Sequence, residues 1–212
     1  MAKKRRTVPK SIPLQKRKED SGGLNFSPSI WLNAFLRPVE TFSSEENKES
    51  YSKSLLNYVV AGFIGGLFVL VSLLVLAGAF DPLAVPGFLL VVIISQIFYS
   101  AFSNVLLFAF SKIFSGLGTF KRQFYFNSLY IIPLDLLNGV VSFLLGFFNV
   151  DRNVSAIFLG LISLYMIYLT FQAQKSAHKT ETWKTIIVVV VALIIEAFLL
   201  QLVQQVGNLA SQ

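Results

Sequence analysis

The chain has no cysteine and a single histidine, His178. These shortages exclude disulfides and thiolate-bound metal and leave no imidazole cluster for a zinc or iron site. Charge is scarce too: 14% of residues are Asp, Glu, Lys or Arg, against 54% hydrophobic, a balance that is difficult to keep dissolved in water. There is no Gly-x-Ser-x-Gly elbow, no His-Glu-x-x-His pair and no phosphate-cradling loop ending in Lys-Ser or Lys-Thr. His178 stands among Lys175, Ser176 and Lys179 and reads as a solvated loop residue. No enzymatic activity and no cofactor or metal are expected. The basic cluster Lys3, Lys4, Arg5, Arg6 is followed by polar, Pro-containing sequence, so no cleavable signal peptide is expected, and the first apolar run should itself direct insertion.

What is abundant is apolar sequence in long runs. Five of them, about 55–80, 88–110, 124–147, 154–171 and 185–203, each reach the roughly 17 to 25 residues needed to cross a bilayer as a helix. Eleven of the eighteen Lys and Arg precede the first run. Lys112, Lys121 and Arg122 lie between the second and third runs, and Lys175, Lys179 and Lys184 between the fourth and fifth. Only Arg152 falls on the other side. The positive-inside rule therefore predicts an all-α integral membrane protein of five transmembrane helices, with the N-terminus cytoplasmic and the C-terminus outside. A net charge of +7 sorted in this way argues for a membrane and against nucleic acid as the partner.

The chain divides into four parts. Residues 1–26 are rich in Lys, Arg, Ser, Gly and Pro and are expected to form a disordered cytoplasmic tail whose charge could rest on anionic lipid. Residues 27–54 are expected to hold an amphipathic helix and a polar linker. Ser27 can cap that helix, Pro28 can enter its first turn and Pro38 can stop it. Ile30, Trp31, Ala34 and Phe35 share one face, which suits a helix lying on the cytoplasmic leaflet or one packed against the spans. Residues 55–206 form the five-span domain, and 207–212 a short external tail. Asp81, Pro82 and Pro86 mark a tight first connection between antiparallel neighbours.

Polar residues inside the runs supply the candidate site. Asp135, Asn138, Gly139, Ser142 and Gly146 recur at helical spacing on the third run, and Gln96, Ser100, Ser103 and Asn104 on the second. The two stripes are expected to face each other inside the bundle. Glu196 is the one ionisable residue of the fifth run. No Lys or Arg lies in any run to neutralise Asp135 or Glu196, so at least one of them is expected to be protonated. Two readings follow. The carboxylates handle a proton or cation, as in a small transporter or permease component, or they donate hydrogen bonds that hold helices together. Gly62 and Gly66 have the spacing that allows two helices to approach closely.

Two stretches carry a family resemblance. The first is Arg37, Pro38, Val39, Glu40, Thr41 and Phe42, ahead of the first run. The second is Gly116, Leu117, Gly118, Thr119, Phe120, Lys121 and Arg122, followed by Tyr130, Ile131, Ile132 and Pro133. Together with five spans and a cytoplasmic N-terminus, they resemble the Yip family of Ypt/Rab-interacting membrane proteins over about residues 31–206. The Asp-Leu-Tyr-Gly-Pro type element of eukaryotic members is not present, so the chain resembles a prokaryotic-type member. The resemblance implies no reaction. It implies contacts with the bilayer and with other membrane proteins, in the cell membrane of a prokaryote or the ER and Golgi membranes of a eukaryote.

Overall fold

A computed structural model describes residues 27–78 and 82–210, and the described chain is helical with no strand. The basic tail expected over 1–26, Asp81 of the first connection, and residues 211–212 lie outside the described residues. Two short helices come first, α1 (Pro28–Leu36) and α2 (Pro38–Ser44). Five long ones follow: α3 (Tyr51–Ser72), α4 (Val85–Ile113), α5 (Phe120–Phe147), α6 (Arg152–His178) and α7 (Thr182–Ala210). Each contains a stretch long and apolar enough to cross a membrane. The last turn of α3 widens into a π-helix over Leu73–Ala77, which Gly78 ends at a φ of 62°. The external tail expected from residue 207 instead begins as a continuation of α7, which runs to Ala210.

Local chemistry explains the boundaries. Pro28 occupies the first turn of α1, where its missing N–H is not needed. Ser27, however, bonds Ser29 through its hydroxyl at 2.8 Å and leaves the backbone uncapped. Pro38 ends α1 as expected and also starts α2, which the sequence pattern alone reads as linker. Ser50, Thr119 and Asp151 cap α3, α5 and α6 with side-chain oxygens that accept from backbone N–H groups at the first turn. α5 continues through Pro133 without a break.

The connections place α1, α2, the start of α3, the α4–α5 turn and the α6–α7 turn at one end of the bundle. Lys112, Lys121, Arg122, Lys175, Lys179 and Lys184 all lie there, and that end is called the basic end. Here α1 and α2 pack onto α5 and α6, burying Ala34 and stacking Phe42 on Phe126 at 5.1 Å between ring centroids. The Tyr165 hydroxyl of α6 donates to the carbonyl of Phe35. α1 is thus seated on the bundle through Ala34, while Leu32 and Leu36 stay exposed.

α3 lies between α4 and α5 and packs against both. Gly62 and Gly66 make the approach to α4 possible. A Cβ at Gly62 would stand 2.9 Å from the Cα of Ile93, and one at Gly66 would stand 2.8 Å from Leu89. The glycine pair therefore serves packing within the chain.

Candidate functional site

Polar residues of the basic half form a lattice. Asn104 of α4 is its centre and is fully satisfied. Its amide Nδ2 donates to the carbonyl of Ser100 at 2.8 Å and to the Tyr58 hydroxyl at 3.2 Å. Its Oδ1 accepts from Asn127 at 2.7 Å and from Gln123 at 3.2 Å. Two donors and two acceptor sites are the whole capacity of an Asn side chain. Asn127 passes the chain on by accepting from the Tyr130 hydroxyl at 3.2 Å, which meets Thr170 of α6 at 3.0 Å. In a separate chain of bonds, the Trp31 indole of α1 donates to Asn57 at 3.1 Å, and Asn57 donates to Ser128 at 3.0 Å.

Gln123 carries the lattice to the basic surface. It is wholly buried and gives Nε2 to the carbonyl of Asn104 at 2.7 Å, which turns its Oε1 toward His178 Nε2 at 2.8 Å. That amide orientation assigns the proton to Nε2 of the imidazole. His178 is therefore no solvated loop residue: it is 0% exposed at the last turn of α6. The glycine loop closes over it. A Cβ at Gly116 would stand 2.8 Å from His178 Nδ1, and one at Gly118 would stand 2.2 Å from the carbonyl oxygen of Ala177. Gly118 is required by this close approach rather than by an unusual φ, since Ser115 is the loop residue with positive φ. Leu117 N–H donates to the His178 carbonyl at 3.0 Å, completing the dock.

The residues of the family motifs surround this lattice. Pro38 opens α2, Thr41 donates its hydroxyl to the Arg37 carbonyl at 2.9 Å, and Phe42 is fully buried on Phe126. Glu40 is exposed in the first turn of α2, where a negative charge suits the helix dipole. Phe120 stacks on Phe124 at 5.6 Å and meets Phe108 edge-on at 5.6 Å. Just outside, Glu46 accepts from Arg122 at 3.2 Å and pairs with Lys179, while Arg122 also faces Glu49 at 3.8 Å. The Lys179 hydrogen bond, aided by the nearby Arg122, holds the Glu46 carboxyl below the ordinary carboxylate range. Glu45 is buried and accepts from Tyr125 and Lys48, both at 2.9 Å.

The five candidate residues of the polar stripes do not gather in one place. Gln96, Asp135 and Asn138 line a cavity of about 520 Å³ between α3, α4 and α5. Asn104 and Glu196 line another, of about 70 Å³, between α3, α4, α5, α6 and α7. The two share no lining residue. Glu196 is buried and accepts from the Tyr99 hydroxyl at 3.2 Å. The stripe of α4 is split by this arrangement: Gln96 turns toward α3 and the larger cavity, Ser100 and Asn104 toward the lattice. Among the described residues no group of His, Cys, Asp and Glu is placed to hold a metal ion.

Gln123 and Asn127 were not singled out from sequence, and His178 was read as solvated, although a signal was there. Thr170, Gln174 and His178 recur at intervals of four on α6, as do Gln123 and Asn127 on α5, and such spacing puts each set on one helix face. The fold and this lattice define the class: an all-helical integral membrane protein of five spans, held at one end by buried uncharged polar groups. A family model then fixes the group within the class. The Yip1 domain matches residues 32–203, and the chain belongs to that family. No match was found among curated proteins or among solved structures.

Proposed function

We propose that this Yip1-domain protein is a non-enzymatic membrane-organising or adaptor protein, working through protein and lipid contacts at its basic end. That end is the cytoplasmic one, because seventeen of the eighteen Lys and Arg lie on its side of the spans. The observation that carries the reading is the separation of the two intramembrane carboxylates into cavities with no lining residue in common. A permease that used both Asp135 and Glu196 would need one continuous wet path to reach them. The lattice between the helices is instead made of amides, hydroxyls and one imidazole around a fully bonded Asn104, which suits a lock rather than a conduit.

At the same end, Leu32, Leu36 and Val39 are exposed on α1 and α2, a surface suited to the headgroup and acyl boundary of the leaflet. The basic residues that precede α1 in the chain would add attraction to anionic lipid, at up to about 1 kcal/mol per charge near the surface. Docked to the bundle and wetted by lipid, these helices are the natural place for a partner to read the protein.

The test is crosslinking and pull-down from native membranes, with Leu32→Glu/Leu36→Glu as the disrupting variant. A stable partner recovered with the wild type and lost with that variant is the expected result. Proton-coupled or cation-coupled flux in liposomes, abolished by Asp135→Asn or Glu196→Gln, would replace the adaptor with a transporter.

A further inference from the structure

We propose that the 520 Å³ cavity between α3, α4 and α5 is a binding site for a cationic amphiphile, a compact molecule with an ammonium group and an apolar body taken up from the bilayer. Its volume falls within the roughly 300 to 1,000 Å³ of small-molecule sites. Its walls are two-sided. Phe68, Val69 and Leu73 of α3 supply the apolar wall, and Asp135, Asn138 and Gln96 the polar one.

Asp135 sets the sign of the ligand. Glu196 has Tyr99 to bond it. Among the described residues, Asp135 has no hydrogen-bond or ion-pair partner, and no Lys or Arg lines the cavity. A carboxylate in hydrocarbon without a counter-charge is expensive, and an entering ammonium would neutralise it while Asn138 and Gln96 offer amide oxygens to its remaining N–H groups. Asp135 also lies near the middle of the 28-residue α5. A phospholipid amine anchored at the interface would not reach it, so a single-chain or ring-based amine fits.

Gly65 lines the same cavity. Gly62 and Gly66 are accounted for by contact with α4, but a Cβ at Gly65 would meet nothing within 4 Å. Glycine weakens a helix by about 1 kcal/mol relative to alanine, and here that weakness secures no packing. It leaves open volume in the cavity wall. The same wall ends in the π-helical turn Leu73–Ala77, a departure from α geometry that is frequent at functional sites.

The test uses the full chain in lipid nanodiscs and two photoreactive probes, a diazirine-bearing dodecylamine and the matching dodecanol. The amine should label peptides containing Phe68 and Asn138 at least about tenfold more than the alcohol, the margin expected of a charge-assisted hydrogen bond. Excess unlabelled dodecylamine should displace it. Asp135→Asn should bring amine labelling down to the alcohol level. Gly65→Phe should block both probes while leaving the thermal midpoint near that of the wild type, and Glu196→Gln should change nothing. Equal labelling by amine and alcohol, labelling undiminished in both cavity variants, or signal mapped to other faces would overturn the proposal. So would covalent capture of another protein's transmembrane helix by a photoreactive residue at Ser142 in native membranes, which would assign the cavity to a partner.

Discussion

On α5 every residue from Gln123 to Tyr130 is buried, with Ile132 and Leu134 after them; beyond Leu134 no residue of the same helix is. The other long helices divide too, though not at one level, since Gly66 of α3 stands against Leu89 of α4. Burial ends at Gly66 on α3, and begins at Ser100 on α4 and at Leu169 on α6. The basic half is thus the more buried and the far half the more exposed, although the far half is no less apolar and Gly139 and Gly146 still approach Phe68 and Leu76 closely there. Leu144, Ile157, Leu161, Leu164 and Ile194 all face outward. Apolar residues give no driving force for helix association where lipid tails are the solvent. What joins helices here is the hydrogen-bonded lattice around Asn104 and the close approaches at Gly62, Gly66 and Gly118.

Variants in the basic half should therefore dominate the energetics. Gly118→Ala is the most severe, because its Cβ would lie 2.2 Å from a backbone oxygen that cannot move without shifting the end of α6. It should lower stability in detergent by about 3 kcal/mol or prevent folding, as read by thermal unfolding or by protease resistance of the loop. Asn104→Leu is next. It strands the donor of Asn127 and leaves Gln123 only its bond to the residue 104 carbonyl, at about 1 to 3 kcal/mol for the buried group left unpaired, and it should loosen α3, α4 and α5 together.

Gly62→Leu should cost about 1 to 3 kcal/mol by forcing α4 away, and accessibility of a cysteine introduced on α4 would report the separation. The contrasting change in the far half is Gly160→Ala, at an open position. Its effect should be neutral or stabilising by less than about 1 kcal/mol; a loss as large as that at Gly62 would show that the far half is also packed. The smallest effect concerns the ion cluster. Because the Glu46 carboxyl is held below its ordinary value of 4.5, its stabilising contribution is complete above that value and disappears as pH falls through the lowered one. Lys179→Gln should flatten this acid limb of the stability profile.

Much of the architecture was legible in the chain because it follows from one-dimensional quantities. Run length, hydropathy and the placement of Lys and Arg do not require contacts to be known, and all five spans come from them. The site was legible only in part. Asp135, Asn138 and Gln96 could be placed on helix faces by spacing, yet their separation from Glu196 depended on which helix each face meets. Gln96 shares a cavity with Asp135 and Asn138 while Asn104 shares another with Glu196, and periodicity within a helix is silent about neighbours. His178 shows the same limit: a histidine among lysines looks solvated until the glycine loop is folded over it. α2 was missed because a seven-residue helix has too few turns for a periodic signal, and Pro38 reads equally as an end or a beginning.

By itself, then, the amino-acid order determined that this protein lives in a membrane, how often it crosses and which end carries the positive charge, since transfer of side chains between water and lipid is nearly additive along the chain. Only the tertiary structure decided that Asn104 would be saturated, that His178 would be buried against Gly118, and that Asp135 would face an open cavity without a partner among the described residues. Those outcomes depend on distances between residues far apart in sequence, and hydrogen bonds and close packing act only over a few ångströms.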